Sequence, residues 1–482
     1  MIKRYLPYLL TPLFLFFAFP PFNLYPLAFI AFIPLFFSFE KEKSFLKLFL
    51  SGFIFNFLLL YWLFPVLTGY GGMPWYFAVL SLILLFSYLS LYLSIPLYFF
   101  KNKLIFLFPF FYLSFEIILE HFLTGFPWGI LANSQASNTG LNYLFHFLGV
   151  RGVSLFVLFS NIIIYKTIKS KNRNASLITI FLIIVLNIPG YFIKVKKGKE
   201  IKVAAVQGNE KMNTVWTGER VLSEFEKYMR YTRKAVREGA KVIAWPEFCF
   251  PYYPKYQSSL TNKLKEFTKI NDIILILGAN DLESGNYYNT AFIFYKGKMD
   301  YYHKVHLTPF GEYIPYKKIF FFANKIANVE GEFTKGKNVK VFDIDGLKIG
   351  IPICYEMVFP SLIKKFYDKG VNLLVTITND SWFGNTSGPV QHFYLSRIRA
   401  MEMSVPVLRA ATSGISGVFE YDGKILKKLG YGKEGLIMSK IYVKEKSFSV
   451  FYSIYYFLRY LILFGFLLYV FLYLKNKREG KR

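Results

Sequence analysis

Three side chains in this sequence are suited to covalent acyl chemistry: Glu247 in Trp245-Pro246-Glu247, Lys304 in His303-Lys304-Val305-His306, and Cys354 in Ile353-Cys354-Tyr355-Glu356. A free thiol with a pKa near ~8.5 is mostly protonated at neutral pH, so a nucleophilic Cys354 needs a base or a neighbouring cation. Glu247 is the candidate base, able to move a proton off the thiol and onto a leaving group. Lys304, with the backbone N–H that follows Cys354, is the candidate stabiliser of a tetrahedral oxyanion. Together they suit acyl transfer through a thioester. Taken singly, each has an ordinary alternative as a surface carboxylate, a solvated cation or a small buried apolar group.

The elements that must position them lie between Ile201 and Glu445, where short β-rich runs alternate with amphipathic helical patterns, the mark of a layered α/β domain. Strands are expected over Lys202 to Gln207, Lys241 to Trp245, Ile273 to Ala279, Thr290 to Tyr295, Lys348 to Ile353, Leu373 to Thr378, Val405 to Ala410 and Ser416 to Tyr421. Helices are expected over Glu219 to Arg237, Pro360 to Lys369 and Val390 to Glu402. Glu247, Lys304 and Cys354 each follow a strand or hairpin, and α/β active sites gather where strand ends meet loops.

The rest of the chain is membrane-like. Of its 482 residues 54% are hydrophobic and 21% aromatic, and the mean hydropathy is positive, too apolar for a soluble protein of this length. A helix needs ~20 apolar residues to cross a bilayer. Runs that cross or nearly cross extend from Tyr5 to Ala18, Tyr25 to Phe39, Phe45 to Leu67, Tyr76 to Phe100, Leu104 to Leu119, Leu141 to Tyr165, Leu177 to Phe192 and Phe448 to Leu474. Lysine and arginine alternate by connection: Lys3 and Arg4, then Lys41, Lys43 and Lys47, then Lys101 and Lys103, then Lys166, Lys169, Lys171 and Arg173, and finally Lys475 to Arg482. The intervening connections around Phe22, from Thr68 to Trp75, and from His121 to Leu141 carry none, which places both termini in the cytoplasm and the α/β domain outside. The expected organisation is a seven-helix transmembrane domain over residues 1–195, a catalytic domain over 198–445, a last transmembrane helix over 448–474 and a basic tail over 475–482. Phe19-Pro20-Pro21-Phe22 has no small-x-small cleavage pattern, so the first run reads as an uncleaved helix.

Much of the +28 formal charge is this topogenic Lys and Arg, and the remainder lacks an aromatic-basic pattern, which argues against nucleic acid and for anionic lipid. Cys249 lacks motif support and reads as packing; it and Cys354 follow different strands and are expected to be free thiols. His303 and His306 complete no ligand set of recognisable spacing, so no metal is expected.

The ordered set Trp245-Pro246-Glu247, His303-Lys304 with Pro309-Phe310-Gly311-Glu312 downstream, and Cys354-Tyr355-Glu356 resembles the carbon-nitrogen hydrolase (nitrilase) superfamily and its Glu-Lys-Cys triad. Gly69 to Pro74, Thr124 to Trp128, Asn379 to Gly384 and Gly388 to His392 extend the resemblance to that superfamily's membrane-embedded apolipoprotein N-acyltransferase branch. The resemblance implies an αββα sandwich, no cofactor, a monomer in the bacterial inner membrane, and transfer of a phospholipid acyl chain to the α-amine of a diacylglyceryl-cysteine at a lipoprotein N-terminus. It also places Glu312 and Glu356 at the site, as groups holding Lys304 and the Glu247 loop.

Around this core, Tyr355 either shapes an acyl pocket or packs. Trp382 and Phe383 are candidate walls of a lipid entrance, with core packing as the alternative, and Trp128 lies in an uncharged outer connection that could line the acyl path. Arg151 and Arg459, near the outer ends of apolar runs, are placed to snorkel toward lipid phosphates or simply to anchor the interface. A membrane-anchored amidase shares the triad but leaves the membrane part unexplained. A transporter or receptor leaves the triad unexplained.

Overall fold

The computed structural model describes residues 2–192, 198–210, 214–316, 332–445 and 447–479. The expected domain boundary near residue 195 and the terminal Lys481 and Arg482 lie outside the described residues. The chain divides into two compact units: a helical one of residues 1–64, 76–193 and 449–482, and a second of residues 65–75 and 194–448.

The described residues of the second unit form two six-stranded sheets. The first contains β1 (Lys199–Gln207), β2 (Val242–Ala244), β3 (Ile274–Glu283), β4 (Asn286–Tyr295), β5 (Lys298–His303) and β12 (Gly435–Val443), in the order β12-β1-β2-β3-β4-β5. The other contains β6 (Val341–Ile344), β7 (Leu347–Gly350), β8 (Leu373–Thr378), β9 (Val407–Ala411), β10 (Ser416–Phe419) and β11 (Ile425–Leu429), in the order β11-β10-β9-β8-β7-β6. β1, β2 and β3 run parallel, as do β7, β8 and β9. Every residue of β2, β8 and β9 is buried, as central parallel strands require. The sheets meet face to face, β1 against β9 and β3 against β8, and Gln207 Oε1 at the end of β1 accepts from the Ser416 hydroxyl and N–H at 2.6 and 3.1 Å.

The helix Gly218–Arg237 is capped by Thr217, whose side chain accepts from Arg220 N, and its apolar stripe of Phe225, Tyr228 and Met229 packs on Trp245, Phe250 and Leu275. Against the expected list, the structure adds the helix Ser258–Asn271 and strands β5, β6, β11 and β12. The strand expected over Lys348 to Ile353 ends at Gly350, because Pro352 cannot donate to a ladder; Ile353 rejoins the sheet through a single bridge to Ile377.

Among the described residues four helices are long and apolar enough to span a membrane: Trp75–Phe99, Thr139–Lys169, Arg173–Phe192 and Tyr455–Glu479. A fifth follows if Phe45–Leu60 and Leu63–Tyr70, bent by 64°, form one broken span. The last helix continues to Glu479, so Lys475, Lys477 and Arg478 extend it. The run from Tyr25 to Phe39 is not one helix but a 3-10 turn, Tyr25–Phe29, followed by the short helix Ile33–Ser38.

Broken backbone in apolar surroundings must find partners inside the protein. Asn161 supplies them here, accepting from Phe32 N at 2.9 Å and donating to Ala28 O at 2.8 Å. Glu116 does the same for the turn Leu131–Gln135, accepting from Leu131 N at 2.7 Å and from the Ser154 hydroxyl at 2.9 Å.

Arg151 and Trp128 belong to this unit. Arg151 does not snorkel. It is 5% exposed, its Nη2 donates to Tyr455 OH at 2.9 Å, it pairs with Glu120 at 3.4 Å, and its guanidinium lies 4.4 Å from the Tyr455 ring centre. A buried guanidinium needs such partners, and Glu120 supplies the carboxylate. Trp128 is buried against Trp62 and Phe126. Arg459 is half-buried on the last helix.

Candidate active site

The site begins with an anchored tryptophan. Trp245 is fully buried, its backbone N–H donates to Ile276 O at 2.8 Å, and its indole N–H donates to the Thr232 hydroxyl at 2.9 Å. This fixes where the chain leaves β2, and Pro246 carries it to Glu247. A Cβ on Gly278 of β3 would lie 2.5 Å from the Glu247 Cα, so the neighbouring strand must be glycine there for the loop to pass. Phe248 takes a left-handed φ of 48° immediately afterwards.

Glu247 is 2% exposed and its carboxylate is held from three sides. Oε1 accepts from Asn289 Nδ2 at 2.7 Å and faces Lys304 Nζ at 3.4 Å, while Oε2 accepts from the Asn379 N–H at 2.8 Å. Lys304, 1% exposed, follows β5 and also pairs with Glu312 Oε2 at 2.9 Å. Burial works against the charge of Lys304, but Glu312 and then Glu247 outweigh it and raise the ammonium pKa above its usual value. Lys304 is therefore a permanent cation. Asn289, on β4, also donates to Glu312 Oε1 at 2.5 Å and so bridges the two carboxylates.

Cys354 starts the 3-10 turn Cys354–Val358 just after β7 and is partly exposed, with φ at 50°. That left-handed conformation costs a non-glycine residue ~1–3 kcal/mol and persists only where its surroundings enforce it. Phe310, before Gly311-Glu312, is likewise left-handed at 60°, so the Glu247, Glu312 and Cys354 loops all carry this geometry. Burial, followed by the Glu247 charge, pushes the Cys354 thiol well above its usual pKa, and Lys304 and a hydrogen bond with Thr378 only partly oppose this. The resting group is a thiol.

Glu356 joins the Cys354 turn to the loop after Lys304. Its Oε2 accepts from Ile353 N at 2.8 Å, and its Oε1 accepts from Tyr302 OH, Val305 N and His306 N at 2.9, 2.7 and 3.1 Å. Glu312 Oε2 in turn accepts from Thr308 N at 2.7 Å. The expected attachment of these two carboxylates thus divides: Glu312 holds Lys304 directly, while Glu356 holds the backbone on either side of the site. Glu356→Gln is expected to destabilise the protein by ~2 kcal/mol, because an NH₂ group must then face a backbone or hydroxyl donor in a buried position. Thermal unfolding of the detergent-solubilised variant checks this.

Tyr355 is buried beside Phe359 and His306. Trp382, in the turn Asp380–Phe383, stacks on Tyr70 at 3.8 Å between ring centres. A Cβ on Gly311 would come 2.8 Å from its ring. Phe383 stands edge-on to His392 at 5.9 Å. Cys249 is fully buried and its thiol is pushed up by burial and by Glu210, the signature of an inert packing cysteine. Around His303 the fold gathers Asp281 and Glu283, with ligand-type atoms within 4.8 Å of one another. Lys255 Nζ already pairs with both carboxylates, at 2.6 Å from Asp281 and 3.0 Å from Glu283.

Sequence reasoning missed Asn289, Thr378 and a buried chain behind Cys354. Asp380 Oδ1 accepts from the Thr378 hydroxyl at 2.9 Å and lies 2.9 Å from His392 Nδ1, and Asp380 Oδ2 accepts from Arg409 Nη2 at 2.6 Å. His392 Nε2 donates to the Cys354 carbonyl at 3.2 Å. Asp380 and His392 both lie in stretches that the family resemblance had marked, and that was the available signal.

A thiol beside a buried carboxylate and a permanent cation, on a two-sheet sandwich, defines the carbon-nitrogen hydrolase class. A family model described as carbon-nitrogen hydrolase matches residues 202–445, and one described as apolipoprotein N-acyltransferase N-terminal domain matches residues 12–163. An apolipoprotein N-acyltransferase of Geobacter metallireducens is 30% identical over 472 residues, 92% of this chain and 90% of the relative, and one of Aquifex aeolicus is 30% identical over 455 residues, 90% and 98% respectively. A solved Saccharomyces cerevisiae member of branch 10 of the nitrilase superfamily, Nit3, covers 52% of this chain and 93% of its own at 24% identity, with a TM-score of 0.41. The chain belongs to the apolipoprotein N-acyltransferase family and is a membrane-associated acyltransferase.

Proposed function

We propose that this protein moves an acyl chain from a phospholipid to the α-amine of an S-diacylglyceryl-cysteine at a lipoprotein N-terminus, in two half-reactions through an S-acyl-Cys354 thioester. The observation that carries the reading is the Glu247–Lys304–Glu312 group set against a partly exposed, protonated Cys354 in a chain of this family. Glu247 takes the thiol proton as sulfur attacks the ester carbonyl, and returns it to the lysophospholipid oxygen as the C–O bond breaks. In the second half-reaction the lipoprotein amine attacks the thioester, Glu247 accepts its proton, and the C–S bond breaks to release Cys354, which is then reprotonated. Lys304 and the Tyr355 N–H stabilise each oxyanion. Because the thiol is held above its usual pKa, Glu247 acts during attack rather than on a preformed thiolate.

The same reading assigns residues 1–195 and 448–474 to eight membrane spans with both termini cytoplasmic, and residues 198–445 to an extracytoplasmic catalytic domain working as a monomer. Trp382 and Phe383 stand by the lipid entrance. Transfer of a labelled acyl chain from phospholipid vesicles to a synthetic diacylglyceryl lipopeptide tests the activity, and absence of transfer at any lipid composition removes it. For the topology, a cysteine introduced at Lys427 is expected to react with a membrane-impermeant maleimide in intact cells. Reaction only after permeabilisation reverses the orientation.

A further inference from the structure

The chain of buried polar groups behind Cys354 has no place in the proton transfers above, yet it ends on the nucleophile's own backbone. Asp380, His392 and Arg409 are each at most 1% exposed. Arg409, on β9, is itself fixed by Nε donating to Ile415 O at 3.1 Å and Nη1 donating to the Ser396 hydroxyl at 3.1 Å. Its Nη2 reaches both Asp380 Oδ2 at 2.6 Å and His392 Nδ1 at 3.2 Å. His392, on the helix Gly388–Met403, is therefore clamped at Nδ1 and turned so that Nε2 meets the Cys354 carbonyl.

That carbonyl can only accept, so Nε2 carries the proton. The imidazolium satisfies both contacts, donating at Nδ1 to Asp380, and the neutral ring keeps the carbonyl bond as the tautomer whose Nδ1 accepts from Arg409. The carbonyl of Cys354 and the N–H of Tyr355 belong to one planar peptide unit and point in opposite directions. Holding the carbonyl on one side aims the N–H on the other. Cys354 sits at φ 50°, a conformation that reverts unless held.

We infer that His392 is a positioning residue for the oxyanion site: by gripping the Cys354 carbonyl, it sets the Cys354–Tyr355 peptide plane and so aims the Tyr355 N–H at the developing oxyanion, with Asp380 and Arg409 holding the imidazole. The inference rests on Cys354 being the acylated nucleophile, as proposed above, but not on the identity of the natural acyl donor. Losing one oxyanion donor slows acyl transfer by ~10²–10³-fold, and a misaimed donor is expected at the lower end of that range. With His392 removed, Asp380 still holds Arg409 and the Thr378 hydroxyl, and Glu247 still holds the Asn379 N–H, so the groups around the thiol stay anchored.

The test compares two reactions at one sulfur in the full-length, detergent-solubilised protein. Acylation by p-nitrophenyl octanoate passes through a tetrahedral oxyanion, whereas alkylation by iodoacetamide does not. His392→Ala is expected to slow acylation by roughly 100-fold while alkylation stays within about twofold of wild type. His392→Gln, whose amide N–H can take the place of Nε2–H, is expected to recover acylation to within about tenfold of wild type. Cys354→Ala sets the background of both. Wild-type acylation rates in His392→Ala, equal slowing of both reactions, or no recovery in His392→Gln overturns the inference. Wild-type protein that accepts p-nitrophenyl octanoate but not a phospholipid acyl chain instead overturns the proposed donor and leaves the His392 comparison intact.

Discussion

Replacing Cys354 with alanine is expected to abolish acyl transfer, with a loss of at least about 10⁴-fold because the covalent route disappears altogether, while the protein remains folded in the membrane. The side chain is small and partly exposed, so truncating it opens little cavity. Cys249→Ala is expected to leave turnover within about twofold. Cys249 is fully buried, its thiol lies 3.9 Å from the Gly278 carbonyl, and burial pushes that thiol up. Measuring lipopeptide acylation by both variants in matched membranes decides the assignment. Equal losses, or turnover in Cys354→Ala, would sink it.

The contrast between the two cysteines was readable from their sequence surroundings, since only Cys354 stands in an Ile-Cys-Tyr-Glu setting downstream of His303-Lys304. Glu247, Lys304 and Glu312 were equally legible, because each is followed or preceded by a short, ordered motif at a strand end. What the sequence hid is contact between distant strands. Asn289 bridges Glu247 and Glu312 from β4, and Arg409 reaches Asp380 from β9 across 29 positions of chain. No local pattern marks such residues, because their partners are set by sheet order rather than by spacing.

The helical unit failed differently. Hydropathy located apolar runs but could not distinguish a straight span from a broken one. Leu104 to Leu119 looked uniform although it contains Glu116, whose carboxylate serves the neighbouring turn. Arg151 looked like an interface residue because Glu120 and Tyr455, which bury it, lie on other helices. The short strands β6 and β11 were missed for a simpler reason. Val341–Ile344 and Ile425–Leu429 are brief edge strands with charged residues, and edges are where alternation is weakest.

The half-reactions separate the roles of the remaining site residues. With phospholipid alone, wild-type protein is expected to accumulate an acyl group on Cys354, since the amine needed for discharge is absent, and addition of a diacylglyceryl peptide should remove it. Glu247→Gln should fail to charge, with a rate loss of ~10²–10⁴-fold. The substitution leaves a thiol that the site holds protonated and a leaving oxygen with no acid. Its amide also puts an NH₂ group opposite Asn289 Nδ2, Lys304 Nζ or the Asn379 N–H, all donors. Lys304→Met should charge ~10²–10³-fold more slowly for a separate reason, the loss of the oxyanion donor, and it strips Glu312 and Glu247 of their shared cation. The two defects differ in their response to pH. Raising the pH toward the elevated thiol pKa ionises a growing fraction of Cys354 without help, so charging of Glu247→Gln should rise steadily with pH. Lys304→Met should recover far less, because its missing element is not a base. Intact-mass measurement of acyl-enzyme across a pH series separates them. If Glu247→Gln charges as fast as wild type at neutral pH, Glu247 is not the acylation base. The role then passes to Glu312, the other carboxylate paired with Lys304, whereas the Glu356 oxygens face Tyr302 OH and the N–H groups of Val305, His306 and Ile353.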